Sequence, residues 1–285
     1  MSKICIVFDR LRSEEKLLEK QAIDLGNEIK MVDAKITHFD TDSNKQNTDF
    51  GDVVLERCIS YYRGLHFTAC IEFLDVPIIN KFSVSSLCGN KMLTSIILKK
   101  NNIPTPKTYF SFSADAALEN IEKIGYPLII KPVVGSWGRS VIPLKDRDTA
   151  DAIIEQRGIT DGPLDRIFYL QEVVDRPPRD IRVITVNDRP IAAMYRKSSG
   201  GFKTNVALGA DPEICDITNE IEDLCAKASK AVGGGILGID LMEDKKRGLM
   251  VHEINNTVEF KGLIKVSKTN IPKEMIEFAL DSIRK

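Results

Sequence analysis

Neither sign of charge dominates this chain of 285 residues. Forty Lys and Arg stand against forty-one Asp and Glu, for a net charge of −1. That removes the electrostatic case for non-specific binding to nucleic acid or to a membrane surface. Long apolar runs are missing too; none approaches the roughly 20 residues needed to cross a bilayer. The segment Ile4-Cys5-Ile6-Val7-Phe8 turns charged at Asp9. It is too short for a secretory signal, has no cleavage site after it, and reads as a first buried strand, so a cytoplasmic protein is expected. None of the six cysteines (Cys5, Cys58, Cys70, Cys88, Cys215, Cys225) forms a C-x-x-C pair. They read as free thiols acting as small hydrophobes, which argues against a structural zinc site and a catalytic cysteine. A G-x-x-x-x-G-K-[ST] loop is absent, which excludes ordinary P-loop chemistry, and His252-Glu253 lacks the second histidine of a zincin helix. Internal repeats and low-complexity tracts are absent as well.

What remains is an ordinary globular composition, 43% hydrophobic and 28% charged. The length allows two domains or one large subdivided domain, with a core that needs no disulfide or metal staples. In the first third, strands at 3–8, 51–57 and 77–80 alternate with helices at 12–25, 63–74 and 83–100, the pattern of a small parallel α/β unit. The stripe of the first helix is Leu17, Leu18, Ala22 and Leu25. Pro104 and Pro106 stop the third helix from continuing. Further on, a helix at 113–124 capped by Ser113 leads to a strand ending in Lys131, a loop at 135–140 and a returning strand at 141–144. A helix at 148–157 precedes strands at 169–174, 181–186 and 190–195, the last two a hairpin about Asn187-Asp188. The segment 197–212 reads as an irregular loop. A helix at 217–232, strands at 236–243 and 249–255, and a helix at 272–284 complete the chain.

Gly233, Gly235 and Gly238 match G-x-G-x-x-G, but the match follows a helix and opens a strand. A dinucleotide site needs the reverse order, so a helix cap and a tight turn are expected instead. More informative are Asp240, Glu253 and Asn255. Glu253 and Asn255 share one strand face. A turn centred near Lys246-Arg247 places Asp240 opposite Glu253, where two carboxylates repel unless a cation sits between them. Their oxygen-only chemistry suits Mg²⁺ with bound phosphate; the alternative is a register slip that turns one carboxylate to solvent. Lys131 ends an otherwise apolar strand and needs an anionic partner, for which phosphate is suitable. The tip Gly135-Ser136-Trp137-Gly138-Arg139-Ser140 offers backbone N–H groups, hydroxyls and a guanidinium for closing over phosphates, or is simply a glycine-containing hairpin loop. Arg179, Arg182, Arg196 and Asn205, with Asp180 on the face of Arg182, would clamp phosphoryl groups if they meet the metal site, and would otherwise form surface ion pairs.

This ordered set resembles the ATP-grasp superfamily, in the branch of the ribosomal-protein S6 glutamate ligases. The likeness rests on Gly89-Asn90-Lys91, Ile130-Lys131-Pro132, Gly135–Arg139, Gln171-Glu172, Arg179-Asp180-Ile181-Arg182, Arg196 with Asn205, and Asp240 with Glu253-Ile254-Asn255. Within that branch, Thr204-Asn205-Val206-Ala207-Leu208-Gly209 and Glu259-Phe260-Lys261 are similar to the ligases that load an amino acid onto the small acidic carrier protein LysW, in lysine and arginine biosynthesis. The resemblance implies an α/β (α+β) ATP-grasp fold in three parts: an N-terminal α/β domain at 1–90, a central lid domain at 91–170 and a C-terminal domain at 171–285.

The resemblance also implies roles. Lys91 and Lys131 bind ATP phosphates and the loop Gly135, Ser136, Trp137, Gly138, Arg139, Ser140 closes over them, with Trp137 either a lid element or ordinary packing. Gln171, Glu172 and the backbone after it hold adenine, and Asp180 ribose. Asp240, Glu253 and Asn255 carry Mg²⁺, two ions by the family pattern. Arg182, Arg196 and Asn205 stabilise the transferred phosphoryl group, and Asn256, Glu259, Phe260, Lys261 and Gly262 line the amino-acid site. The implied partners are LysW and glutamate or α-aminoadipate, and a homo-oligomer (dimer or tetramer) is expected. In the family, aminoadipate ligases tend to carry Asn then Ser or Thr after this Glu-Phe-Lys, and glutamate ligases Gly then an aromatic. Here Gly262-Leu263 fits the glutamate pattern at its first position and neither at its second. Lys261, Lys265, Lys268 and Lys273 either help dock an acidic carrier or are solvated surface charges.

Overall fold

A computed structural model describes residues 1–42, 48–135, 138–160, 162–197 and 212–284. The expected lid residues Ser136 and Trp137, and Asn205 with the irregular segment around it, lie outside the described residues. The chain builds three sheets in sequence order. The first is parallel, in the order β2-β1-β3-β4, from β1 (Lys3–Phe8), β2 (Glu28–Asp33), β3 (Val53–Glu56) and β4 (Ile78–Ile79). Helices α1 (Ser13–Asp24) and α2 (Tyr61–Phe73) connect its strands. Alternation explains the apolar run at its centre. Ile4 and Ile6 join one buried cluster with Leu18 of α1, while Cys5 and Val7 join a second with Phe67 and Ile71 of α2. Both faces of a parallel sheet are covered, so every central position is apolar.

Helices α3 (Phe82–Cys88) and α4 (Lys91–Lys100) lead into the second sheet. That sheet is antiparallel, β5-β8-β6-β7, with β5 (Thr108–Ser111), β6 (Leu128–Lys131), β7 (Ile142–Leu144) and β8 (Phe168–Glu172). Helices α5 (Ala114–Ile124) and α6 (Arg147–Ile159) cover it. Their Ala117, Ile121, Ala150 and Ile154 pack on Leu128, Ile130, Leu144 and Leu170 in a core of their own. The third sheet, also antiparallel, runs β11-β10-β9-β12-β13. Its strands are β9 (Arg179–Val186), β10 (Arg189–Lys197), β11 (Glu213–Ile214), β12 (Ile236–Asp244) and β13 (Gly248–Asn255). Helix α7 (Asn219–Val232) packs on one face. After the short α8 (Lys261–Ile264), α9 (Ile271–Ile283) returns to α1, so the first and third sheets share the cluster of Ile4, Leu55, Ile184, Phe260 and Ile276. No helix among the described residues is long and apolar enough to cross a membrane.

Several expectations change. The single helix foreseen at 83–100 is two, because Asn90 interrupts it and caps the second, its Oδ1 accepting from the backbone N–H of Met92 and Leu93. Charged residues interrupt the apolar alternation of β2 along a half-exposed strand, so the sequence does not announce it. The inward stripe of α1 holds Leu18 and Ala22, but Leu17 is 37% exposed and Glu15 is fully buried against Arg12 and Arg57. The six cysteines are free thiols. The glycine motif does what its position implied. Gly233 caps α7 in the left-handed region at φ +107°, and a Cβ at Gly238 would lie 2.5 Å from Arg182 Nη1.

Gly89 is needed for space rather than for its dihedral angles, since a Cβ there would sit 1.7 Å from the Tyr61 ring. Gly89→Ala is expected to cost about 1–3 kcal/mol through overpacking. Urea unfolding checks this; a midpoint equal to the parent's would show that the α3–α4 junction has slack.

Candidate active site

The β12–β13 ribbon does place Asp240 opposite Glu253, by a route the sequence does not show. From Asp244↔Gly248 to Leu241↔Val251 the pairing is centred on Lys246. Continued unchanged, it would set Asp240 against His252. Between Leu241 and Asp240 the register shifts, and His252 becomes the extra residue of a β-bulge. A bulge bends the strand and re-aims side chains. Here both bulge residues reach cations that precede the ribbon in the chain. Glu253 Oε1 lies 3.1 Å from Lys91 Nζ, and His252 Nε2 lies 2.6 Å from Lys131 Nζ.

Lys91 is the first residue of α4, and its Nζ also donates to the carbonyl of Gly135 at 2.6 Å, at the start of the tip loop. Lys131 ends β6 and is only 5% exposed. It donates to Gln171 Oε1 at 2.6 Å, while Gln171 Nε2 donates to the Tyr169 hydroxyl, which in turn meets Ser95 Oγ of α4 at 2.8 Å. Burial, with Lys91 and Arg176 nearby, pushes the Lys131 ammonium down to about 7. Burial and Lys131 together press His252 well below the usual imidazole range. Burial would push Glu253 up, but Lys91 and Lys131 outweigh it and hold the carboxyl below its ordinary value.

On the neighbouring strands Asp240 meets two guanidiniums. Its Oδ2 lies 3.0 Å from Arg196 Nη2, and its Oδ1 2.7 Å from Arg182 Nε. The second contact is close but not aligned as a hydrogen bond, so Oδ1 is a buried carboxylate oxygen without a hydrogen-bond partner among the described residues. Burial pushes the Asp240 carboxyl up, against the pull of Arg182 and Arg196. An oxygen in that state fits a cation. Among the described residues no three His, Cys, Asp or Glu side chains cluster closely enough to hold a metal. Asp240, Glu253 and Asn255 supply oxygen donors of the kind Mg²⁺ takes together with phosphate or water, while the two carboxylates are here paired with Arg182, Arg196 and Lys91. Asn255, paired with Gly238, also donates from Nδ2 to the Gly238 carbonyl at 3.4 Å.

Other expected residues sit differently. Both oxygens of Asp180 are held by Arg196, at 2.7 and 3.0 Å, so Asp180 orients a guanidinium beside Asp240. Gln171 is turned inward on Lys131. Glu172 accepts from the backbone N–H of Lys107 and from Arg247, and its side chain is partly exposed. Gly138 has positive φ, and Arg139 and Ser140 are exposed. Phe260 is fully buried in the core and cannot touch a substrate directly in this arrangement. Gly262 packs under Met194, where a Cβ would meet the methionine Cε at 3.1 Å. Asn256 offers its carbonyl to Asn80, while Glu259 and Lys261 are exposed.

Two groups went unread in the sequence. His252 is one, because nothing local signals a bulge. The other lies at the carboxyl ends of β1 and β3, where the order of the parallel sheet reverses and α/β proteins commonly bind ligands. There Arg12 and Arg57 share Glu15, the Arg57 guanidinium lies 5.7 Å from the centre of the Phe260 ring, and Arg12 reaches Glu259 at 3.5 Å. A Glu56-Arg57 pair closing an apolar strand was the available signal.

The fold and this constellation define a class, the ATP-grasp ligases. Residues 88–279 match the RimK-like ATP-grasp domain, and residues 4–87 the LysX preATP-grasp domain. The chain belongs to the RimK-like ATP-grasp family, with a LysX-type domain ahead of it. It is 37% identical to the alpha-aminoadipate–LysW ligase LysX of Sulfurisphaera tokodaii, over 98% of this chain and 99% of that one. It is 32% identical to the glutamate–LysW ligase ArgX of Sulfolobus acidocaldarius, over 97% of each. The crystal structure of a RimK-domain ATP-grasp protein from Sphaerobacter thermophilus matches at TM-score 0.78 and 20% identity, over 98% of this chain and 99% of that one.

The depressed ammonium has a measurable sign. Between about 7 and the ordinary lysine value of 10.5, folded Lys131 has lost a proton that the unfolded chain retains. Stability therefore rises with pH across that window, and the contribution is lost as pH falls toward 7. Lys131→Met, which cannot titrate, is expected to flatten this rise in denaturant unfolding at pH 7, 8 and 9. An unchanged slope would place the lysine in a wetter setting.

Proposed function

We propose that the chain is an ATP-dependent carboxylate–amine ligase. It joins the α-amino group of glutamate, α-aminoadipate or both to the side-chain carboxylate of the C-terminal glutamate of LysW. The names of its relatives support the reaction class and the carrier, and the convergence of Lys91 and Lys131 on His252-Glu253 opposite Asp240 is the observation that carries the site. The working division is 1–90, 91–170 and 171–285, with ATP between the last two parts.

A carboxylate is a poor electrophile, so it first takes the γ-phosphoryl group of ATP to become an acyl phosphate. The amine then attacks, forming the amide and releasing phosphate. In this reading Lys91 and Lys131 hold the ATP phosphates. Arg182 and Arg196, the latter oriented by Asp180, face the charge that spreads over the transferred phosphoryl group. Asp240, Glu253 and Asn255 would hold Mg²⁺, which would neutralise charge at the phosphates. Asn205 and the loop carrying Gly135, Ser136, Trp137, Gly138, Arg139 and Ser140 complete the phosphate end and exclude water, which would otherwise hydrolyse the acyl phosphate. Adenine rests on Glu172 and the backbone after it, with Gln171 turned toward Lys131. Arg12, Arg57 and the 256–262 segment frame the amino-acid end.

Incubation with ATP, Mg²⁺, LysW and either amino acid is expected to raise the carrier mass by one residue and to release ADP and phosphate. A folded enzyme that leaves the carrier unchanged with both amino acids would redirect the reading to another protein or peptide acceptor. Lys131→Ala and Glu253→Ala are each expected to lower turnover by about 10²-fold or more with circular dichroism unchanged. Near-parent activity in either variant would refute the site.

A further inference from the structure

We infer that His252 is a positioning residue for Lys131, a neutral acceptor that holds the ammonium in place while leaving its charge for the nucleotide. The inference rests on the proposed reading that Lys131 binds ATP phosphate.

A lysine ammonium has three N–H donors and no acceptor. Two donors of Lys131 are engaged, at 2.6 Å by Gln171 Oε1 and at 2.6 Å by His252 Nε2. While Lys131 is an ammonium, as it is when an anion is bound beside it, the nitrogen facing it must be the unprotonated one, so the imidazole is then neutral with its proton on Nδ1. One donor is left for an incoming anion. Both acceptors are fixed from behind. Gln171 is tied through Tyr169 to Ser95 on α4, the helix that begins with Lys91. His252 is set by the bulge that also presents Glu253 to Lys91.

The kind of acceptor matters as much as its place. A carboxylate at this position would pair with the buried ammonium and compete with phosphate for it. An imidazole nitrogen and an amide oxygen satisfy its hydrogens without cancelling its charge. Lys91 shows the contrast, since its partner is the carboxylate of Glu253, which the proposed site assigns to Mg²⁺.

The test measures binding of ATP with Mg²⁺ by calorimetry, in the parent and in His252→Ala, His252→Gln, His252→Glu and Lys131→Met. Losing a hydrogen bond to a charged group predicts a Kd about tenfold or more higher for His252→Ala. Glutamine carries a neutral oxygen about as far out as Nε2, so His252→Gln is expected to stay within about threefold of the parent. His252→Glu, which supplies an acceptor of the wrong charge, is expected to bind ATP more weakly than His252→Gln while unfolding no earlier. The Michaelis constant for the amino acid should not move in any His252 variant. The inference is overturned if His252→Ala stays within about twofold of the parent, if the glutamine variant is as impaired as alanine, or if the glutamate variant binds as well as glutamine. A parent that does not bind ATP, or a Lys131→Met variant with unchanged affinity, sinks the reading of the site itself. Loss in Lys131→Met without loss in His252→Ala sinks this inference alone.

Discussion

One extra residue in one strand organises the candidate site. Without the bulge at His252 the β12–β13 ribbon would pair Asp240 with the histidine and turn Glu253 to the other face. With it, two consecutive side chains of β13 serve two lysines from two different elements, the start of α4 and the end of β6. The third sheet is thereby joined to the second through polar contacts rather than through a shared apolar core; the cores of the two are separate clusters.

The partners of the buried cations divide by type. Arg196 is held by Asp180 and Asp240, and those carboxylates raise its affinity for the proton despite burial. It is a fixed charge. Lys131 is held by neutral acceptors, and burial brings its ammonium close to losing its proton near neutrality. Its charge is the one an arriving polyanion would reinforce most, since an opposite charge favours the ionised form. Asp240, buried with one oxygen lacking a hydrogen bond among the described residues, is the complementary case on the anionic side.

The first sheet meets the segment following β13 through Arg12 and Arg57. Arg57 lies over Phe260, and Glu56 reaches Thr257 at 3.5 Å, so the segment following β13 is clamped against the switch point of the parallel sheet. Phe260 belongs to the core that joins first and third sheets, which makes it an anchor for neighbours that face outward, such as Glu259 and Lys261. Gly262 fits beneath Met194 for want of a Cβ, a packing constraint that a motif comparison cannot express.

Much of this was legible in the chain itself. The apolar runs at 3–8 and 128–131, the Ser113 cap and the glycine ending α7 report local physics, which short stretches of sequence carry in full. The opposition of Asp240 and Glu253 could be named from turn arithmetic, although the turn lies half a residue from where that arithmetic put it and the bulge makes up the difference. What no local pattern contains is which partner a charged residue finds. Asp180 on Arg196, Gln171 on Lys131, His252 beside Lys131 and Glu15 between two arginines are all choices among distant groups. The sequence by itself determined most of the elements, their order and the family pattern, because periodicity and capping act over a few residues. Only the tertiary structure decided the pairing of charges, because burial leaves each ion with whatever acceptor the fold has carried to within three ångströms.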